Sequence, residues 1–136
     1  MLDEKMKKTL VERAIAARSA SYSPYSKFAV GAALLTGDGK IYTGANIENA
    51  SYTPTVCAER VAIFTAIHDG ARDISAIAIV GGAADAPVSS YCPPCGVCRQ
   101  VLSEFARDGA LILLYDGKEI REYTLADLLP LRFELS

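Results

Sequence analysis

Hydrophobic and polar positions alternate along this chain in stretches that change period, and the changes mark its elements. From Asp3 to about Ala20, Met6, Leu10, Ala14 and Ala17 recur at helical spacing with Lys7, Lys8, Glu12 and Arg13 between them, which predicts an amphipathic helix. Ser23-Pro24-Tyr25-Ser26 breaks it. Phe28 to Thr36 is an apolar strand, turned by Gly37-Asp38-Gly39 into a hairpin partner at Lys40 to Thr43. A polar loop is expected from Gly44 to Val56. Cys57 to His68 follows as a helix ended by Gly70 and apolar almost all round, so burial on most sides is expected. Ile74 to Val80 is a continuous apolar strand suited to the inside of a sheet. After a loop from Gly81 to Pro94, Cys95 to about Arg107 reads as a second internal helix and Leu111 to Tyr115 as a strand. Asp116-Gly117 turns the chain into a strand at Glu119 to Tyr123. Thr124 and Asp127 resemble a capping box on a short helix, Leu125 to Leu129, stopped by Pro130.

This order predicts an α/β fold of three layers, α/β/α: a five-stranded mixed sheet covered by helices on both faces. The short Asp-Gly turn makes the last two strands antiparallel. The 136 residues suit one domain, 1–136. With 51% hydrophobic residues the chain can build a core and is not disordered. Its net charge of −2 and lack of a basic run argue against a nucleic-acid partner. No apolar stretch reaches the length of a membrane span, and the charged N-terminus lacks the apolar core of a signal peptide. A cytoplasmic location is therefore expected, where cysteines serve as metal ligands or reactive thiols more often than as disulfides.

The four cysteines stand at 57, 92, 95 and 98. Cys95 and Cys98 share one helix face, and Pro93-Pro94 puts them at the start of that helix, where its dipole favours thiolates. Cys57 also opens a helix. Two such starts can converge on one cation, with Glu59 beside it. Three protein ligands leave a catalytic zinc a fourth position for water, and a nearby unligated carboxylate can move that water's protons. Ligand-x-Glu followed by Pro-Cys-x-x-Cys is the pattern of zinc deaminases, and here it stands as Cys57-Ala58-Glu59 and Pro94-Cys95-Gly96-Val97-Cys98. Other readings of the cysteines are a thioredoxin-like pair, an iron–sulfur run beginning at Cys92, and a closed four-cysteine structural zinc. His68 reads as a surface residue near a helix end.

Over nearly its whole length the sequence resembles the small cytidine deaminases of the homotetrameric, three-cysteine type. The likeness runs through PYSKFAVGAALL at 24–35, GANIENASY at 44–52, CAER at 57–60, PCGVCRQV at 94–101 and LLP-x-x-F at 128–133. The resemblance implies one Zn²⁺ per chain on Cys57, Cys95 and Cys98, with Glu59 as proton shuttle. It implies that Asn46 and Glu48 bind the ribose hydroxyls, that Phe28 packs on the pyrimidine, and that a backbone group at Ala58 meets the base. Arg60 would hydrogen-bond the thiolates, offsetting three negative charges on a divalent ion. Phe133 would reach into a neighbouring subunit's site. Cys92 has no counterpart in the pattern. The implied activity is deamination of cytidine and 2′-deoxycytidine. Other readings are action on polymeric nucleic acid, on a different small base such as a nucleoside antibiotic, or a non-enzymatic zinc or redox module.

Overall fold

The computed structural model describes residues 2–135. Helix α1 spans Glu4–Ala17, and the Asp3 carboxylate caps it by accepting from the Met6 N–H at 2.8 Å. The expected helix to Ala20 ends earlier, because Arg18–Ala20 tightens into a 3₁₀ turn. Strand β1, Phe28–Thr36, has the expected limits. It turns back into β2, Ile41–Ala45, which takes Gly44 and Ala45 from the expected loop because β1 still pairs there, Gly31 opposite Ala45. Helix α2 is Ala58–His68, strand β3 Ile74–Ala83 and helix α3 Gly96–Phe105. Strand β4, Ala106–Tyr115, begins directly after α3, where the sequence suggests a helix to Arg107 and a strand only from Leu111. Pairing with β3 explains this: Ile74 pairs with Ala106 and Ala76 with Leu111, so residues 107–110 form an irregular bulge inside the strand, with Gly109 at φ 80°. Strand β5 is Ile120–Thr124. The last helix, α4, is Leu125–Leu128, with the Thr124–Asp127 capping box in place.

The sheet order is β2-β1-β3-β4-β5. Only β3 and β4 run parallel; the other pairs, including the last two strands, are antiparallel. Strand periodicity divides the apolar residues between two cores. Ala33, Leu35, Ala76, Ala78, Val80 and Leu113 face Leu10, Val11 and Ala14 of α1. Ala32, Leu34, Ile77, Ile79, Ile112 and Leu114 face α2, α3 and α4. The three-layer expectation therefore holds. Two glycines set the layer spacing: a Cβ at Gly31 would lie 2.0 Å from the Ala14 carbonyl oxygen, and one at Gly44 only 2.5 Å from Ala62 N and 2.6 Å from Ala58 O.

One expectation is corrected. Helix α2 buries Ala58, Glu59, Ala62, Ile63 and Ala66, but its outer side is open, with Phe64 49% exposed. The sheet covers one side only, so among the described residues the outer side around Phe64 is left half exposed. No helix among the described residues is long and apolar enough to cross a membrane.

Candidate active site

The two helices that follow β2 and β3 start at the same place. Cys57 is the N-cap of α2 and Cys95 the N-cap of α3, both in extended backbone that turns their side chains off the helix ends. Cys98, one turn into α3, completes the group, and its backbone N–H points at Cys95 Sγ at 3.4 Å. The three sulfurs lie within 4.8 Å of one another, with Cys57–Cys95 at 3.7 Å and Cys95–Cys98 at 3.4 Å. Sulfurs about 2.3 Å from one tetrahedral ion stand about 3.8 Å apart, so this donor set fits a single zinc. Cys92 is not part of the group.

Charge supports the same use. Hydrogen bonding with Cys98, then with Arg60 and Cys95, pulls the Cys57 thiol down to about 5 against the cost of its burial. The shared bond with Cys57 pushes the Cys98 thiol up. Arg60 Nη2 donates to Cys57 Sγ at 3.6 Å. The Arg60 Nε is buried without a protein partner. Two helix N-termini add partial positive charge at the same point. Glu59, 3% exposed, follows on the first turn of α2. Burial, assisted by the negative charge of Cys57, raises its carboxyl to about 7, so it can hold or release a proton near neutrality.

Cys92 sits elsewhere in the wall. A Cβ on Gly81 would lie 2.8 Å from Cys92 Sγ and 3.0 Å from the Phe28 ring, so thiol and ring both rest on bare β3 backbone. Burial pushes this thiol up to about 11. The readings that need a fourth sulfur, a closed four-cysteine site or an iron–sulfur run, lose it.

Phe28 opens β1, 41% exposed, opposite Ala83 of β3. Arg18 holds that corner, donating from Nε to Ala29 O at 2.9 Å and from Nη2 to Ala83 O at 2.9 Å. No local pattern signals this clamp, because its partners are distant in the chain. Asn46 is buried and tied to the same strand: its Oδ1 accepts from Val30 N and its Nδ2 donates to Phe28 O, both at 2.9 Å. Glu48 Oε1 accepts from the backbone N–H groups of Tyr25 and Ser26, and its Oε2 accepts from Ser26 Oγ. These bonds hold its carboxyl below its ordinary value. Glu48 lines a cleft of about 420 Å³ with Tyr25, Ser26, Tyr52 and Thr55. Tyr25 and Tyr52 meet there edge to face, and none of the four was singled out in the sequence. Ala58 is buried at the first turn of α2. Phe133 lies on the C-terminal segment, 70% exposed, its carbonyl accepting from Gln100 Nε2 at 3.5 Å. His68 is exposed and outside the sulfur group.

Three thiols that leave a tetrahedral metal one open position, with a neutral-range acid beside it, describe a zinc-dependent hydrolase. Comparison with known proteins narrows the class. The model of the cytidine and deoxycytidylate deaminase zinc-binding region matches residues 4–114. A cytidine deaminase of Sporosarcina psychrophila is 50% identical over 125 residues, 88% of each chain. One from Halalkalibacterium halodurans is 48% identical over 122 residues, 89% of each. The crystal structure of cytidine deaminase from Burkholderia pseudomallei aligns with a TM-score of 0.81 at 43% identity, covering 93% of this chain and 98% of that one. This chain belongs to the cytidine and deoxycytidylate deaminase family, and zinc is its cofactor.

Proposed function

We propose that this protein is a cytidine deaminase, converting cytidine and 2′-deoxycytidine with water into uridine and 2′-deoxyuridine with release of ammonia, a reaction of pyrimidine salvage. The observation that carries this reading is the buried Glu59 carboxyl, raised to about 7, beside the three-thiol group. Cys57, Cys95 and Cys98 would hold the zinc, and Arg60 would offset their charge. When bound, zinc supplies Lewis acidity that brings the pKa of water down from 15.7 toward about 7. Glu59 in its ionised form accepts a proton from the attacking water. It delivers that proton to ring nitrogen 3, then takes the second proton from the new hydroxyl on carbon 4 and passes it to the amine as the carbon–nitrogen bond breaks and the carbonyl forms. Phe28 packs on the pyrimidine, and the Ala58 backbone meets its edge. Asn46 and Glu48 bind the sugar hydroxyls.

The whole chain, 1–136, acts as one catalytic domain, and four such chains form a homotetramer in which Phe133 completes a neighbour's site. The exposed Phe64 on α2 and the exposed Phe133 support this assembly. A cytoplasmic location suits four free thiols. The substrate is a free nucleoside: the cleft beside Glu48 is lined by a carboxylate, a serine, a threonine and two tyrosines, a poor place for a phosphate. The loss of ultraviolet absorbance as cytidine becomes uridine tests the reading, with cytidine, 2′-deoxycytidine and deoxycytidylate compared, with and without a chelator. Turnover of deoxycytidylate alone, or turnover indifferent to chelation, would overturn it.

A further inference from the structure

Ser21 lies just past the 3₁₀ turn that follows α1, and its backbone is fixed by Ser21 N donating to Arg18 O at 3.1 Å. The next residue binds the chain just past β2, Tyr22 N donating to Asn46 O at 3.0 Å. The Ser21 hydroxyl is thereby held 2.5 Å from Asn46 Oδ1 and 3.1 Å from Ser23 Oγ. It carries one proton. Asn46 Oδ1 is an acceptor only, so that proton goes to Asn46, and Ser23 Oγ donates to Ser21 in turn.

A primary amide has two acceptor sites and two donor hydrogens. At Asn46 the acceptor sites are taken by Val30 N and Ser21 Oγ, and one hydrogen by Phe28 O. What remains is a single N–H with no protein acceptor among the described residues. We infer, on the reading of Asn46 as a sugar-binding residue, that Ser21 is a positioning residue for the sugar: by filling the second acceptor site of Asn46 it turns that amide into a pure donor. Glu48 is the complement, a carboxylate that can only accept and whose Oε2 has capacity beyond its bond from Ser26. A group read by both must accept from Asn46 and donate to Glu48. A hydroxyl does both. A hydrogen does neither, and an ammonium cannot accept. Without Ser21, the open acceptor site on Oδ1 would take a water at the sugar position, and the discrimination would weaken.

The test compares the zinc-loaded protein and its Ser21→Ala and Ser21→Thr variants on cytidine and on 2′,3′-dideoxycytidine. In Ser21→Ala the KM for cytidine should rise roughly two- to tenfold, the effect of one hydrogen bond, with kcat within about twofold. The KM for 2′,3′-dideoxycytidine should stay that of the unsubstituted chain, and Ser21→Thr, which keeps the hydroxyl, should behave as the unsubstituted chain on both. If Ser21→Ala does not fold, Ser21→Cys, with its weaker donor, carries the same comparison. A KM that rises by the same factor for both substrates, or one unchanged for cytidine, would overturn the role of Ser21 alone. An unsubstituted chain that handles the two substrates equally well would overturn the sugar-binding role of Asn46, and that of Ser21 with it.

Discussion

Glu59 is where burial and chemistry conflict most directly. Its carboxyl stands at about 7 in the folded chain, against 4.5 when free of the fold, and burial is the main cause. Between those values the folded chain holds a proton that the unfolded chain has released. Stability therefore falls as pH rises: nothing is lost below about pH 4.5, and the full amount is lost above about pH 7. A gap of about 2.5, at 1.36 kcal/mol for each pKa step, is about 3 kcal/mol. Glu59→Gln removes the ionisation at nearly constant volume. The burial of the amide is the same at every pH, so the pH-dependent part of the difference isolates the carboxyl. Urea unfolding of both proteins, with a chelator keeping the thiol group metal-free, should give a stability difference that is flat at low pH and grows by about 3 kcal/mol in favour of the variant by about pH 8. Activity should move the opposite way. Loss of a positioned proton carrier costs about 10²- to 10⁴-fold in turnover, while zinc content should stay unchanged. Parallel stability curves across this pH range would refute burial as the cause of the raised value. Residual turnover above a few per cent would refute the proton-carrying role.

Cys92→Ser should keep about one zinc per chain by elemental analysis and most of the activity, whereas Cys95→Ser or Cys98→Ser should lose the metal and stability with it. Gly44→Ala should destabilise by about 1–3 kcal/mol in thermal unfolding, because the new methyl would meet backbone atoms of α2, and it should weaken zinc retention by displacing Cys57. Phe133→Ala should weaken capture of cytidine roughly 5- to 150-fold, from the about 1–3 kcal/mol of base–aromatic stacking. Co-refolding Phe133→Ala chains with Glu59→Gln chains should restore high-affinity sites; no recovery despite proven mixing would place Phe133 outside its neighbours' sites.

Much of the architecture can be read from the sequence because its signals are local. Period-two alternation marks β1 and splits its residues between two cores, and proline and capping residues mark the starts of α3 and α4. The thiol group is legible because ligand spacing within a helix turn is also local. What escapes the sequence depends on partners far along the chain. Residues 107–110, Arg-Asp-Gly-Ala, look like the end of a helix and a turn, yet the pairing of Ala106 and Leu111 with β3 on either side carries them as a bulge inside a strand. Nothing near Arg18 in the sequence signals that its guanidinium joins the 3₁₀ turn to both strands beside Phe28. Asn46 looks free to serve a ligand, but most of its amide is spent on β1. The openness of α2 around Phe64 was hidden because an apolar sequence states that a face needs cover without stating who covers it.

Cys57 and Cys95 are 38 residues apart in sequence, with β3 between them. In the unfolded chain, bringing them together closes a loop at a cost of about 3 kcal/mol in chain entropy, by the 1.5RT ln n rule. Cys95 and Cys98, three apart, need almost none. A metal meeting the newly made chain thus finds a two-sulfur foothold at the start of α3, and gains its third ligand only once β3 has docked against β1 and brought the two helix starts side by side. Until an ion arrives, two positive helix ends meet across the thiol group with no cation between them to share its sulfurs. Completion of the middle of the sheet thus assembles the three-sulfur site, and metal bound there stabilises the folded chain in return, by an amount that grows with the free metal available.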